Sequence, residues 1–247
     1  MVYESKQNPL IKKIASLKDK KGRREHGAYL VEGIKMVFEA VKYNQPICYV
    51  VITEGFKEPI PPCDAEVITV SRAVFEYLSD ETTPQGILAV IKIPDLSVQK
   101  PIGNALLLDG VNDPGNLGTI IRTACASGYK DIYAVNSADF YSPKTARASM
   151  SGIYFVNLYK CSYEEVFSVI EGLDLIVADI KGSNLFEFKP SKNFCIAVGN
   201  EANGLSKTVK DKASYTLTIP MSENSESLNV AVASSIMMYT LINQKEN

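Results

Sequence analysis

The stretch DPGNLGTIIRTACASG, residues 113–128, carries one cationic side chain, Arg122, among Leu, Ile, Thr, Ala, Cys and Ser. From Leu117 to Gly128 it reads as a helix, with Asn116 as N-cap and Gly128 just past the last turn. A helix with so few long polar chains is expected to be buried on most sides, where a guanidinium is costly without a partner. The only carboxylate in the stretch is Asp113, in the loop ahead of the helix. Arg122 is therefore expected to be accessible when no ligand is bound, or to borrow a partner such as Glu201. Other familiar chemistries lack their residues. His26 is the only histidine and no H-E-x-x-H occurs, so a transition-metal site has little support. The five cysteines form no C-x-x-C pair and read as buried thiols. No G-x-x-x-x-G-K-[ST] loop is present, and no G-x-G-x-x-G follows a strand.

The elements that must position such residues fall into two halves, separated near residues 94–103, PDLSVQKPIG, which read as a linker. In the first half, Leu10, Ile14 and Leu17 share one helical stripe, as do Ile34, Val37, Phe38 and Val41. Strand-like runs follow at 47–53, 66–70 and 86–93. The second half alternates strands at 105–111, 131–136, 154–160, 174–180, 194–199 and 215–220 with helices at 116–127, 143–150, 162–172, 206–213 and 227–243. Unbroken apolar strands with helices between them predict an α/β fold with a mostly parallel sheet covered on both faces. In open sheets of that class ligands collect beyond the carboxyl ends of the strands. The loops DGVNDPGN, GNEANGLS and PMSENSES, each following a strand and opening onto a helix, are where function is expected.

At 247 residues, 46% hydrophobic and 22% charged, the composition is that of a globular protein, with no apolar run of bilayer-spanning length. Cytoplasmic location and no membrane partner are the expectations. The net charge of −2 excludes a uniformly basic coat, yet Lys6, Lys12, Lys13, Lys18, Lys20, Lys21, Arg23 and Arg24 face only Glu4 and Asp19 within the first 24 residues. Such a run suits either phosphate contact or a solvated helix face.

Asn116-x-Gly118-x-x-x-Arg122, then GNEANGLS at 199–206, then IPMSENSESLNVAVA at 219–233 together resemble the three motifs of the SpoU/TrmH RNA 2′-O-ribose methyltransferases, members of the knotted SPOUT class. The resemblance spans about residues 104–243. The first half, through VEGIKMVFEAV and TTPQGILAV, resembles the substrate-binding domain often fused in this family, similar to small ribosomal proteins. The implied organisation is an RNA-binding α/β domain over 1–93, a linker over 94–103 and a methyltransferase domain over 104–247 with a deep trefoil knot. Also implied are S-adenosyl-L-methionine as methyl donor, a homodimer with an active site completed across the interface, and an RNA substrate, ribosomal more than transfer RNA. An RNA-binding assembly factor without catalysis and a base methyltransferase are the alternatives.

The resemblance assigns catalytic positions to Asn116, Arg122, Glu201, Ser227 and Asn229, and cofactor contacts to Gly199, Ile219, Met221 and Leu228. Ser227 and Asn229 offer a hydroxyl and an amide where a loop meets a helix; an N-cap is the other reading of Ser227. Asn116 would help to position Arg122 or the substrate. The family casts Arg122 as a general base, but a guanidinium holds its proton too firmly for that role and is better suited to clamp an RNA phosphate. Two positions depart from the family pattern: Glu223 stands where Gly is usual and Ala231 where Ser often stands. An acidic Glu223 is expected to narrow the cofactor loop or touch the sulfonium.

Overall fold

The computed structural model describes residues 2–245. The chain forms two compact units, one running to Asp95 and including Tyr141–Tyr154, the other comprising Leu96–Phe140 and the chain from Phe155 onward.

The first unit contains β1 (Val2–Tyr3), α1 (Pro9–Ser16), α2 (Lys20–His26), β2 (Ala28–Glu32), α3 (Ile34–Lys42), β3 (Ile47–Thr53), β4 (Glu66–Val70), α4 (Arg72–Leu78) and β5 (Ile87–Lys92). Its sheet runs β1-β4-β3-β5-β2, with β5 antiparallel to both neighbours. Pro9 begins α1, and the Asn8 side chain accepts from the Leu10 N–H at 2.9 Å, so the helix starts where its unpaired donors are capped. Ile11, Ile14 and Leu17 then pack into a core with Val74, Phe75 and Leu78 of α4. Helix α2 lies inside what reads as a bare charge run. Its Arg23 is buried and donates to the carbonyls of Leu17 at 2.9 Å and Lys18 at 2.7 Å, so one of the eight basic residues is structural.

Helix α6 (Pro143–Ser149) and the 3-10 turn after it belong to this first unit, although by sequence they lie within the second half. Arg147 pairs with Asp80 at 3.3 Å and Glu81 at 3.0 Å, and the Tyr154 hydroxyl donates to the Met36 carbonyl at 3.1 Å. The apolar residues of 150–156 thus pack as a turn, and the strand expected from residue 154 begins only at Asn157.

The second unit is built on β6 (Ala105–Asp109), α5 (Pro114–Ala126), β7 (Asp131–Val135), β8 (Asn157–Lys160), α7 (Tyr163–Val169), β9 (Asp174–Asn184), β10 (Phe194–Gly199), α8 (Lys207–Lys210), β11 (Tyr215–Thr218) and α9 (Val230–Lys245). Strand order is β11-β9-β10-β6-β7-β8, and every pairing is parallel. All five residues of β6 and of β7 are buried, as strands covered on both faces require. From β6 the chain first adds strands on one side, then returns to build the other, so the order reverses between β6 and β10 and opens a crevice at their carboxyl ends. Strand β9 extends to Asn184 because β11 pairs along its polar end, Leu217 with Ser183 and Thr218 with Asn184. A side chain at Gly182 would lie 2.6 Å from the Thr216 carbonyl oxygen, so glycine permits this approach.

The cysteines form no disulfide, and only Cys195 is fully buried; Cys48, Cys63, Cys125 and Cys161 are half-buried. Burial pushes the Cys161 thiol up to about 11, so it stays protonated at neutral pH.

Candidate active site

Three loops meet at the crevice. The first leaves β6 and enters α5, whose N-cap is Asp113: its carboxylate accepts from the Asn116 N–H at 2.8 Å, with Pro114 in the first turn. The N-cap expected at Asn116 is thus displaced three residues upstream, because Asp-Pro supplies both an acceptor and a φ already suited to a helix. Gly128, with φ of +83°, does close the helix.

Relieved of capping, the Asn116 amide joins the other two loops. It donates to Glu201 Oε1 at 3.0 Å, and its oxygen accepts from Asn229 Nδ2 at 3.0 Å. Asn229 in turn accepts from the N–H groups of Ala231 at 2.9 Å and Val232 at 3.3 Å, and so caps α9. One chain of side-chain hydrogen bonds therefore links residues 113 and 85 positions apart. Ser227 is not the cap: it is exposed, and its hydroxyl has no protein partner among the described residues.

Arg122 stands six residues beyond Asn116 on α5, about 9 Å along the axis. It is exposed and makes no ion pair among the described residues. The expectation of a helix buried on most sides is corrected here: Thr119, Arg122 and Ala126 form an open stripe at i, i+3 and i+7, so the guanidinium is solvated and needs no internal counter-charge. Asn116 holds Glu201 and Asn229 rather than Arg122, and Glu201 is not borrowed by the arginine.

Behind Glu201 lies a cleft of about 440 Å³ at the carboxyl ends of β9, β10 and β11. This volume falls within the range of about 300–1,000 Å³ usual for small-molecule sites. Gly199, Glu201, Ile219, Met221, Ser227 and Leu228 all line it; Asn116, Asn229 and Arg122 do not. Glu223 lies outside the wall, whereas Asp179, Glu201 and Glu226 are part of it.

Gly199 has a reason in the protein itself. A side chain there would lie 2.3 Å from the Gly204 carbonyl carbon and the Leu205 nitrogen, because the loop folds back on the strand end. Asn200, unremarked in the sequence, organises that fold-back. Its backbone exchanges hydrogen bonds with Gly204 at 3.0 and 2.9 Å, while its side chain accepts from Ala202 and Asn203 and donates to the Gly110 carbonyl at 2.8 Å. The signal was legible as an Asn four residues before a Gly, a common turn chemistry.

Two carboxylates complete the surroundings. Asp109, buried at the end of β6, accepts from the Tyr163 hydroxyl at 2.6 Å and the Ser206 N–H at 2.7 Å, tying the far end of the same loop to the sheet. Asp179, on the cleft wall, pairs with Lys210 at 2.7 Å. Burial opposes its ionisation, but the Lys210 ammonium and backbone N–H groups outweigh that and hold the carboxyl below its usual range. Neither residue was singled out by the sequence, since a lone Asp at a strand end carries no spacing pattern.

The comparisons with known proteins agree with this architecture. Residues 103–239 match the SpoU rRNA Methylase family, and residues 8–89 match the MRM3-like substrate binding domain. The chain is 31% identical to a 23S rRNA (guanosine(2553)-2′-O)-methyltransferase of Bacillus subtilis over 96% of its length and 98% of the relative's. It is 27% identical to a 23S rRNA (uridine(2479)-2′-O)-methyltransferase of Streptomyces viridochromogenes, over 94% of this chain and 88% of that one. A crystal structure of a SpoU methyltransferase from the same Streptomyces, in complex with the cofactor AdoMet, superposes with a TM-score of 0.87 at 26% identity, covering 96% of this chain and 98% of the other. With its three loops joined by Asn116 at the carboxyl edge of a parallel sheet, the chain belongs to the SpoU rRNA methylase family and is an RNA methyltransferase.

Proposed function

We propose that this protein transfers a methyl group from S-adenosyl-L-methionine to a ribose 2′-hydroxyl of ribosomal RNA, as a cytoplasmic homodimer. The observation that carries the reading is the Asn229–Asn116–Glu201 chain, which gathers all three loops at the mouth of a ligand-sized cleft. Two relatives act on different bases, guanosine and uridine, yet both act at the 2′-oxygen of 23S rRNA. The sugar rather than the base is thus the part of the substrate carried over to this chain.

The cleft suits the cofactor: Gly199 presents backbone, Ile219, Met221 and Leu228 present apolar surface, and Glu226 adds a carboxylate able to face a cation. When bound, S-adenosylmethionine supplies an electrophilic methyl group. The protein's own task is to align the 2′-oxygen and remove its proton as the O–CH3 bond forms and the S–CH3 bond breaks. The Arg122 guanidinium clamps the neighbouring phosphate and lowers the cost of charge on the oxygen. Ser227, whose hydroxyl is free to donate or accept, lies on the path by which the proton leaves. The deep knot implied by the family belongs to the same reading, with β11 and α9 passing through the preceding loop to frame the cleft.

The dimer rests on α9. No charged residue occurs between Val230 and Gln244, and Val232 and Tyr239 are 48% and 53% exposed, a stripe that solvent does not favour. Helix α5 packs beside α9, with Ser235 Oγ donating to Thr123 Oγ1 at 3.2 Å, next in sequence to Arg122. A two-fold pairing through this face buries both stripes at once.

Arg122→Ala is expected to abolish methyl incorporation into bulk RNA while calorimetric S-adenosylmethionine binding stays within about twofold. Unchanged methylation overturns the role of Arg122. Failure of the wild-type chain to bind S-adenosylmethionine favours an assembly factor without catalysis.

A further inference from the structure

The first unit presents a second cluster, remote in sequence from the three loops. On α4, Val74, Phe75 and Leu78 are buried in the core, whereas Tyr77 turns outward and is 39% exposed. Lys6, ahead of α1, places its ammonium 5.5 Å from the Tyr77 ring centroid, and Lys18, just after α1, places its own at 5.8 Å. Lys18 is held there by the carbonyls of Tyr77 at 2.8 Å and Ser79 at 3.2 Å. An open aromatic ring thus lies within reach of two cations, one of them fixed.

We propose that Tyr77 with Lys6 and Lys18 is a docking position for one unpaired RNA base and its adjoining phosphates. The inference rests on RNA being the substrate and adds where the first unit grips it. Both ammonium groups sit near the outer limit, about 6 Å, of an attractive contact with a ring, which at an exposed site is weak. A base stacking on Tyr77 gains more than that contact loses, and stacking tolerates any base because each has a π-face. Lys6, displaced from the ring, then meets a phosphate on one side, while Lys18, still held by its two carbonyls, meets the other. Charge favours this occupant: Lys6, Lys12 and Lys13 are exposed without an acidic partner among the described residues. Of the acids nearest in sequence to Tyr77, Glu76 pairs with Arg72 at 2.9 Å, and Asp80 and Glu81 share Arg147, so one carboxylate charge of these three is left over. Glu4 and Asp19 remain as opposing charges.

Fluorescence anisotropy of the full chain with a labelled single-stranded RNA at several salt concentrations separates the two components. Tyr77→Ala is expected to weaken binding at least about fivefold with an unchanged salt slope, and Tyr77→Phe to restore it, because the ring alone stacks. Lys6→Ala is expected to reduce the slope of log K against log salt by about 0.7, one phosphate contact. Calorimetric S-adenosylmethionine binding and the melting temperature stay unchanged in all three. RNA binding by Tyr77→Ala at wild-type strength overturns the proposal, as does an equal loss of binding to inorganic polyphosphate, which has no base to stack. A wild-type chain that methylates RNA while Tyr77→Ala binds it normally overturns this inference alone; a wild-type chain that binds no RNA overturns the substrate reading as well.

Discussion

Asn116 carries more of the site than its type announces. As the third residue of α5 it has no capping duty, and both ends of its amide are engaged, one by Glu201 and the other by Asn229. The orientation of the amide is set by this asymmetry, since a carboxylate only accepts and the Asn229 amide donates to it. Asn116→Ala removes two hydrogen bonds, each worth about 0.5–1.5 kcal/mol, and is expected to weaken S-adenosylmethionine binding roughly tenfold by calorimetry. Asn116→Asp, closer in shape, is expected to weaken it further, because it sets a second carboxylate against Glu201 while keeping the acceptor for Asn229. Equal effects of the two substitutions refute the claim that the Glu201 contact is electrostatic.

At the scale of elements, the loops are held by their own backbones before any ligand arrives. Gly199 ends β10 within 2.3 Å of returning backbone at Gly204 and Leu205, so the neighbour cannot yield as a side chain would. Gly199→Ala is expected to cost about 3 kcal/mol or more in urea unfolding and to remove cofactor binding, since the fold-back shapes the cleft wall. Asp113→Ala offers the contrast: loss of the α5 cap is expected to cost about 1 kcal/mol in the same measurement. Its effect on cofactor affinity is expected to be small, because Asp113 does not line the cleft. A larger loss of affinity in Asp113→Ala than in Gly199→Ala runs against this account.

For the whole molecule, the proposed dimer through the apolar stripe of α9 would make assembly part of the activity. Val232→Asp places a charge at the N-terminal end of that stripe, at a residue outside the cleft wall. By analytical ultracentrifugation it is expected to shift the protein to a monomer, and RNA methylation to fall at least about tenfold while S-adenosylmethionine still binds. A monomeric variant with full activity rejects the dimeric site. Among the described residues no helix is long and apolar enough to cross a membrane.

What the sequence by itself determined was the alternation of buried strands with helices and the three loops that follow them, because hydrophobic period and loop composition are local properties. Strand β10 at 194–199 and β3 at 47–53 lie where their apolar runs place them. Helix α2 was hidden by its charges, because its stability comes from Arg23 reaching back to the end of α1 and from Gly22, where a side chain would collide with Ser16. The six cleft-lining residues were legible through their motifs, and the Asn200 turn through its spacing to Gly204, whereas Asp109 and Asp179 were not, since their partners lie far away in sequence. Tertiary structure alone decided that 141–154 packs with the first unit and that Arg122 faces solvent, whereas the Asp113 cap of α5 rests on a local Asp-Pro signal that the sequence already carried. The physical reason for the first two is shared: each depends on which surfaces other elements leave open, and a single segment holds no record of that.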